Sequence, residues 1–316
     1  MLLYLAMNVI ELKNIVKTYP GVEALKGISF AVEKGSIHGF LGPNGAGKTT
    51  SMNIIAGLSS PTSGQVLVDG KELDKGKVPI GFLPETPPLY GQMKVAEYLK
   101  FVAEINDLPK KLVRDRVFEI GKRCGLSKVM ERLIGNLSKG YRQRVGIAQS
   151  LVFDPKIVIL DEPTVGLDPN SIIEIRELIT SLKKDHTIMF STHQLHEANL
   201  ICSHITIINK GQILKSGPIN EIRKSLKNRQ VVKAVVRDWK IIEPDVVLGE
   251  IRDLFPCERV EIESTEGQTE LKFIAATEED LRPSVGAYLM KKDCGLLSFR
   301  EEGMDLEDIF KKVAGP

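Results

Sequence analysis

Apolar and polar residues alternate over 9–15 and again over 27–33, with Tyr19-Pro20-Gly21 between them, a pattern that predicts two antiparallel strands joined by an irregular connection. The largely apolar run Ile37 to Leu41 reads as a third strand. Helical spacing follows from Thr49 to Leu58 and stops at Gly57. Beyond Pro61-Thr62-Ser63-Gly64 the period returns to two from Gln65 to Val68, turning at Asp69-Gly70. A short strand, Ile80-Gly81-Phe82-Leu83, ends at Pro84-Glu85, and Thr86-Pro87-Pro88 forbids a helix there. Helical periods fill 94–134, through Val95, Leu99, Val102 and Ile105 and then Leu112, Val113, Val117 and Ile120. Leu137-Ser138 opens another helix running to Ser150, with Ser138 as its N-cap. Lys156 to Leu160 has the continuous apolar character of a strand buried in a parallel sheet, and it delivers Asp161-Glu162 to the carboxyl edge. Next come a turn at 166–169, a helix over about 170–184, a strand from Thr187 to Ser191, then His193. A helix over about 194–201 and a hairpin of 205–209 and 212–215 turning at Lys210-Gly211 complete this part. Strands alternating with helices predict a layered, mostly parallel α/β domain whose ligand sits at the carboxyl ends of the strands.

The pattern changes after a polar connecting helix at 216–229. Strands at 230–237, 258–263, 269–275 and 295–300, helices at 243–254 and 278–291, a turn at Glu266-Gly267 and a last helix at 305–313 give the order β-α-β-β-α-β plus a helix. That order fits a small ferredoxin-like α+β unit, and no catalytic cluster falls in it. The expected organisation is one domain over 7–218, a linker helix at 219–229 and an accessory domain over 230–316.

A chain of 316 residues suits about two domains, and its hydrophobic and charged fractions are those of a soluble globular protein. A net charge of +2 provides no field for nucleic acid. The cysteines at 124, 202, 257 and 294 are scattered, without C-x-x-C spacing, which argues against a zinc site or disulfide framework and suits a reducing cytoplasm. No apolar run approaches the ~18 residues of a membrane-spanning helix, so work at a membrane requires a partner. Met1 to Ala6 is apolar but lacks a basic n-region, and reads as an extension or alternative start rather than a signal peptide.

The candidate chemistry is concentrated in Gly42-Pro43-Asn44-Gly45-Ala46-Gly47-Lys48-Thr49-Thr50, which fits G-x-x-x-x-G-K-[ST] between a strand and a helix. Glycines at 42, 45 and 47 are expected to let backbone N–H groups turn inward around a phosphate, where a Cβ would intrude. Lys48 is placed to reach β- and γ-phosphates, Thr49 to offer its hydroxyl to Mg²⁺, and the helix to present its positive end. Asp161 and Glu162, after a buried strand, are expected to face Mg²⁺ and an attacking water. Tyr19 is a half-buried strand residue or, folded back over the loop, a stacking face for adenine. His193 at a strand end and the helix start at Ser138 are weak signals taken singly.

Together these motifs have the order and spacing of ABC-type ATPases, and Val9 to Pro218 resembles one complete nucleotide-binding domain of that family: a P-loop NTPase with a layered α/β core, an antiparallel β subdomain and a helical subdomain. The resemblance implies ATP and Mg²⁺ as cofactors. It implies that Tyr19 stacks on adenine, residues Gly42 to Thr50 cradle the phosphates, and Asp161 holds Mg²⁺ through water. Glu162 would then activate water and His193 contact the γ-phosphate. Ser138 and Gly140 would belong to the signature motif that completes the site of a second subunit. A γ-phosphate held by one loop keeps an open side, which a helix N-terminus at Ser138 is suited to cover. The chain has one phosphate loop, so the partner is expected to be a second nucleotide-binding subunit in a head-to-tail homodimer with Asp168 at the seam.

Two departures stand out. The signature reads LSKGY, with Lys139 in place of a glycine, and the loop that usually offers glutamine carries Glu85, still a hard oxygen donor for Mg²⁺ or its water. The stretch from Gly81 to Tyr90, the LSKGYRQR run and Leu306 to Phe310 are similar to the drug, sodium and gliding-motility branch of ABC-2 exporters. There the permease is a separate polytopic protein, which the stretch 87–134 would grip from the cytoplasmic face of the membrane. The rival reading is a soluble ABC protein of translation or nucleic-acid repair, but neither a second phosphate loop nor room for a long coiled coil is present. A non-hydrolysing regulatory subunit ranks last, since Lys48, Asp161, Glu162 and His193 are all in place.

Overall fold

The computed structural model describes residues 7–73, 80–222, 230–237, 239–240, 243–265, 267–275, 277 and 279–302. Residues 1–6, most of the expected linker helix and the expected helix at 305–313 lie outside the described residues. The chain divides into two compact units, one ending at Ile219 and the other beginning at Asn220.

In the first unit, β1 (Asn8–Tyr19) and β2 (Val22–Glu33) pair antiparallel down to Tyr19 opposite Val22. The connection is therefore a tight turn, not the irregular one expected, because Gly21 at φ +79° reverses the chain at once. With β4 (Ser63–Val68) and β5 (Lys71–Glu72) they form a sheet ordered β2-β1-β4-β5. Its inner face, including Ile10, Leu12, Ile15 and Val66, packs against Met52, Ile54 and Ile55 of α1 (Lys48–Ile55), which ends short of the expected Leu58.

The second sheet is ordered β10-β9-β3-β8-β7-β6. It contains β3 (Ile37–Leu41), β6 (Ile80–Leu83), β7 (Ile157–Leu160), β8 (Thr187–Thr192), β9 (His204–Asn209) and β10 (Gln212–Pro218). All neighbours are parallel except the edge strand β10. Every residue of β3, β7 and β8 is buried; β7 is apolar throughout, as a strand covered on both faces should be, whereas β3 also buries His38 and β8 buries Thr187, Ser191 and Thr192.

Helices α2 (Val95–Ile105), α3 (Lys110–Arg123) and α4 (Lys139–Leu151) follow β6, with α4 capped by the Ser138 hydroxyl, which accepts the Tyr141 N–H. The predicted core positions Val95, Leu99, Val102, Val113, Val117 and Ile120 are buried. Ile105 and Leu112 are not: they flank the connection between α2 and α3, beyond the packed faces. The domain is completed by α5 (Pro169–Leu182), capped by Asp168, and α6 (Leu195–Ile201).

The second unit runs β11 (Gln230–Val236), α7 (Pro244–Ile251), β12 (Arg259–Thr265), β13 (Gln268–Ala275), α8 (Arg282–Lys291) and β14 (Leu296–Glu302). Its sheet order β12-β13-β11-β14, antiparallel throughout, is that of a ferredoxin-like fold. Both helices are shorter than their patterns predict. Val232, Ala234 and Val236 meet Leu271, Phe273, Val247, Ile251, Val285 and Leu289 in its core.

Several titratable side chains are buried in the first unit, His38 among them. His38 on β3 is buried, its Nε2 2.8 Å from Thr206 Oγ1, while Nδ1 has no partner among the described residues. Burial, reinforced by the charge of the stacked His204, pushes its pKa from 6.5 to about 3. Between those values the unfolded chain takes a proton that the folded chain refuses. The corresponding stability is therefore fully present above pH 6.5 and is lost as pH falls towards 3, by roughly 5 kcal/mol at the limit. Urea unfolding at pH 7, 5.5 and 4 should show this decline, and His38→Gln should flatten it; identical pH slopes in both proteins would contradict the assignment.

Candidate active site

The carboxyl ends of four adjacent parallel strands supply the site: β3 leads into the glycine-rich loop, β6 into Glu85, β7 into Asp161-Glu162 and β8 into His193. The loop's glycines are needed for reasons partly different from those expected. At Gly42 a Cβ would lie 2.5 Å from the Ile208 carbonyl oxygen, and at Gly47, with φ +107°, 2.7 Å from Leu25 Cδ2 and 3.0 Å from the Ala24 carbonyl oxygen. The exclusion at Gly42 comes from β9 and that at Gly47 from β2, both packed directly against the loop. Gly45 faces open space, and there the requirement is its left-handed backbone, φ +76°. Ala46 is buried in the core, and the Lys210-Gly211 turn straps the loop down: the Gly211 N–H donates to the Ala46 carbonyl at 3.0 Å and the Lys26 N–H to the Gly211 carbonyl at 2.9 Å.

Lys48 is buried, donating to the Gly42 and Pro43 carbonyls at 2.8 and 3.3 Å. Its Nζ also lies 3.2 Å from Glu162 Oε1, close enough for ion pairing though not aligned as a hydrogen bond. Asp161 and Glu162 are less open than their position at a strand end suggests: Asp161 is fully buried and Glu162 is 6% exposed. Glu162 stands at φ +47°, a conformation that non-glycine residues seldom adopt. The Ser191 hydroxyl holds it there, accepting the Glu162 N–H at 2.8 Å while donating to Asp161 Oδ1. His193 Nδ1 lies 2.9 Å from Glu162 Oε2. Asp161 Oδ2 is buried without a partner among the described residues.

A cavity of 620 Å³ gathers Pro43, Asn44, Gly45, Gly47, Lys48, Thr49, Thr50, Glu85, Glu162 and His193. Sequence reasoning missed Val22, Ala24 and Lys26 on its wall, and with them Glu23, Val165 and Lys210. The first three share one face of β2 at a spacing of two, a signal that pointed to a strand but not to what lay beside it. Gly42, Ala46 and Asp161 support the cavity without lining it. Tyr19, 43% exposed with the Lys17 ammonium 5.0 Å over its ring, is not on its wall either, although it pairs with Val22, which is. Ser138 and Gly140 lie in a separate cavity of 500 Å³ with Tyr141, Arg144 and Ser171. One chain therefore does not bring the signature residues to its own phosphate loop.

The ABC transporter family profile matches residues 25–165. The bacitracin transport ATP-binding protein BcrA of Bacillus licheniformis is 38% identical over 237 residues, 73% of this chain and 76% of that protein. This chain belongs to the ABC transporter family of ATP-binding proteins. The linearmycin resistance ATP-binding protein LnrL of Bacillus subtilis (strain 168) is 30% identical over 97% of this chain and 98% of its own length, so that ABC relative matches through the second unit as well. Among solved structures, the ABC transporter subunit cbiO1 of Clostridium perfringens aligns with TM-score 0.62 and 30% identity, covering 70% of this chain and 94% of that one. A dimeric ATP-binding cassette in a post-hydrolysis state, bound to ADP and Pi, aligns with TM-score 0.61 and 27% identity, covering 66% and 98%. As an ABC cassette the chain is the ATP-binding, ATP-hydrolysing subunit of a transporter, and the reading as a translation or repair protein is not favoured.

Because the clash at Gly42 is with the backbone of Ile208, Gly42→Ala should displace the loop even though Gly42 does not line the cavity. ATP affinity is expected to fall by about ten-fold or more, the scale of losing one charge-assisted phosphate contact. Isothermal titration with ATP checks this; unchanged affinity would mean that the loop tolerates the contact with Ile208.

Proposed function

We propose that this chain is the energy-coupling ATPase of an exporter, working as a head-to-tail homodimer on a separate membrane permease at the cytoplasmic face. What carries the dimer reading is the division of one catalytic apparatus between two cavities: phosphate loop, Glu162 and His193 in one, Ser138 and Gly140 in the other. Two antiparallel copies supply each half-site with what it lacks. Among the described residues no helix is long and apolar enough to cross a membrane, in keeping with a separate permease. Export is supported by the bacitracin, linearmycin and lantibiotic transport or resistance proteins among its relatives. The corresponding organisation is a nucleotide-binding domain over 7–218, a linker over 219–229 and an accessory domain over 230–316.

In this reading Gly42 to Thr50 cradle the phosphates, and Lys48 neutralises the β- and γ-oxygens. A polyanion in the loop competes with Glu162 for the Lys48 ammonium, which leaves Glu162 Oε1 available to a water. Glu162 orients that water and takes its proton as oxygen attacks the γ-phosphorus and the bond to the β-phosphate oxygen breaks, giving ADP and phosphate. His193, its Nδ1 engaged by Glu162, presents Nε2 towards the γ-phosphate. Adenine packs beside Val22 and Ala24, with Tyr19 the neighbouring aromatic. The buried Asp161 Oδ2, without a partner among the described residues, fits a Mg²⁺ ion held through water, with Thr49 and Glu85 as further oxygen donors. Mg²⁺ would supply charge neutralisation between the β- and γ-phosphates.

Glu162→Gln should retain ATP binding, form an ATP-dependent dimer and hydrolyse at least about a hundred-fold more slowly; a turnover equal to that of the parent chain would remove Glu162 from the role of base. Separately, purification of this chain in mild detergent from its native cells should yield a stoichiometric polytopic membrane protein. Ribosomes or nucleic acid in its place would overturn the transport assignment while leaving the ATPase chemistry intact.

A further inference from the structure

Glu197 on α6 is 3% exposed, lies outside the cavity that holds the phosphate loop, and belongs to none of the motifs. Its Oε2 accepts two hydroxyls, from Thr164 Oγ1 at 2.8 Å and from Thr192 Oγ1 at 3.1 Å, while Oε1 has no partner among the described residues. Thr164 lies two residues beyond Glu162, at the start of the turn leading to Asp168, and Thr192 directly precedes His193. The Thr192 hydroxyl oxygen also accepts the Gln194 N–H at 2.9 Å, fixing the chain on the far side of the histidine. A buried carboxylate supported by only two hydroxyls is costly for a core to keep, and valine, threonine or leucine would fill such space without that cost. Its geometry is that of a clasp between the segments that carry Glu162 and His193.

We propose that Glu197 is a positioning residue for hydrolysis: by holding Thr164 and Thr192 on one carboxylate oxygen, it locks the turn after Glu162 to the strand end before His193. Glu162 at φ +47° and His193 on a short connection between β8 and α6 are then kept at their 2.9 Å separation as one unit. Two local ties secure Glu162 from the β8 side, Ser191 on its N–H and His193 on its carboxylate. Among the described residues the clasp supplies the side-chain hydrogen bond to the segment 163–167 downstream of Glu162, which without it is anchored by the backbone bonds Val165 N–H to the Glu162 carbonyl at 3.2 Å and Leu167 N–H to the Thr164 carbonyl at 3.3 Å. Since that segment leads to Asp168, the same clasp transmits contact at the proposed dimer seam to the base.

The inference rests on Glu162 being the base, and the experiment separates the two. In the full-length chain, Glu197→Ala should lower kcat by about ten- to a hundred-fold, the scale of a displacement near 1 Å at a reacting group, with the Kd for ATP changed by less than about two-fold. Thr164→Val, which removes one arm of the clasp without changing side-chain volume, should reproduce part of the loss. It keeps the test alive if Glu197→Ala does not fold. Glu197→Gln, which retains an acceptor oxygen, should recover most of the activity, and Glu197→Ala should cost nothing further in the Glu162→Gln background. If Glu162→Gln is inactive while Glu197→Ala and Thr164→Val turn over like the parent, the clasp is refuted and the base stands. Full activity in Glu162→Gln refutes the base and, with it, the clasp as stated. A kcat loss in Glu197→Ala matched by an equal loss of ATP affinity and melting temperature makes Glu197 a structural residue and overturns the proposal.

Discussion

The Ser191 hydroxyl, shared between two consecutive carboxylate residues, is the interaction on which the site's geometry depends. It donates to Asp161 Oδ1 and accepts the Glu162 N–H, so one atom on β8 fixes both residues at the end of β7. The arrangement requires β7 and β8 to be parallel neighbours in a register that places Leu160 opposite Phe190. It also requires Glu162 to adopt a left-handed backbone, strain of order 1–3 kcal/mol that the surrounding structure must offset. Complete burial of both strands provides that constraint, because a slip by one residue would turn every apolar side chain of β7 or β8 to the opposite face.

From this anchor the other parts follow in layers. The loop after β3 is seated by close contacts behind it, so that its shape is set by β2, β9 and the Lys210-Gly211 turn before any nucleotide is considered. Lys48 then draws the loop and Glu162 together across the cavity. On the proposed mechanism binding and chemistry share this cation, and the bound polyanion displaces its internal contact with Glu162.

The signature helix belongs to a different level of organisation. Ser138 caps α4 and Gly140 packs closely on α5, where a Cβ would meet Ser171 Oγ at 2.7 Å. Lys139, the residue that departs from the family pattern, extends its ammonium to within 2.2 Å of where a Cβ on Gly166 would stand. The N-termini of α4 and α5 therefore form one surface with the turn after Glu162, and only a few residues separate that surface from Glu162.

Much of this was legible in the chain. The continuous apolar strand β7, the N-cap Ser138 and the glycine-rich loop are local patterns, and backbone sterics and burial make each of them nearly self-determining. Motif spacing picked out Lys48, Asp161, Glu162 and His193, and the structure gathers them because each follows a strand at the same sheet edge. What the sequence left open is what depends on residues distant in the chain becoming neighbours. Val22, Ala24 and Lys26 line the cavity only because β2 folds across the loop. The reason for Gly42 lies on Ile208, and Glu197 acquires two partners only when α6, β8 and the turn after β7 converge. Local propensity sets which element forms, whereas burial and hydrogen-bond satisfaction between elements set which side chains meet, and only the tertiary structure decides the latter.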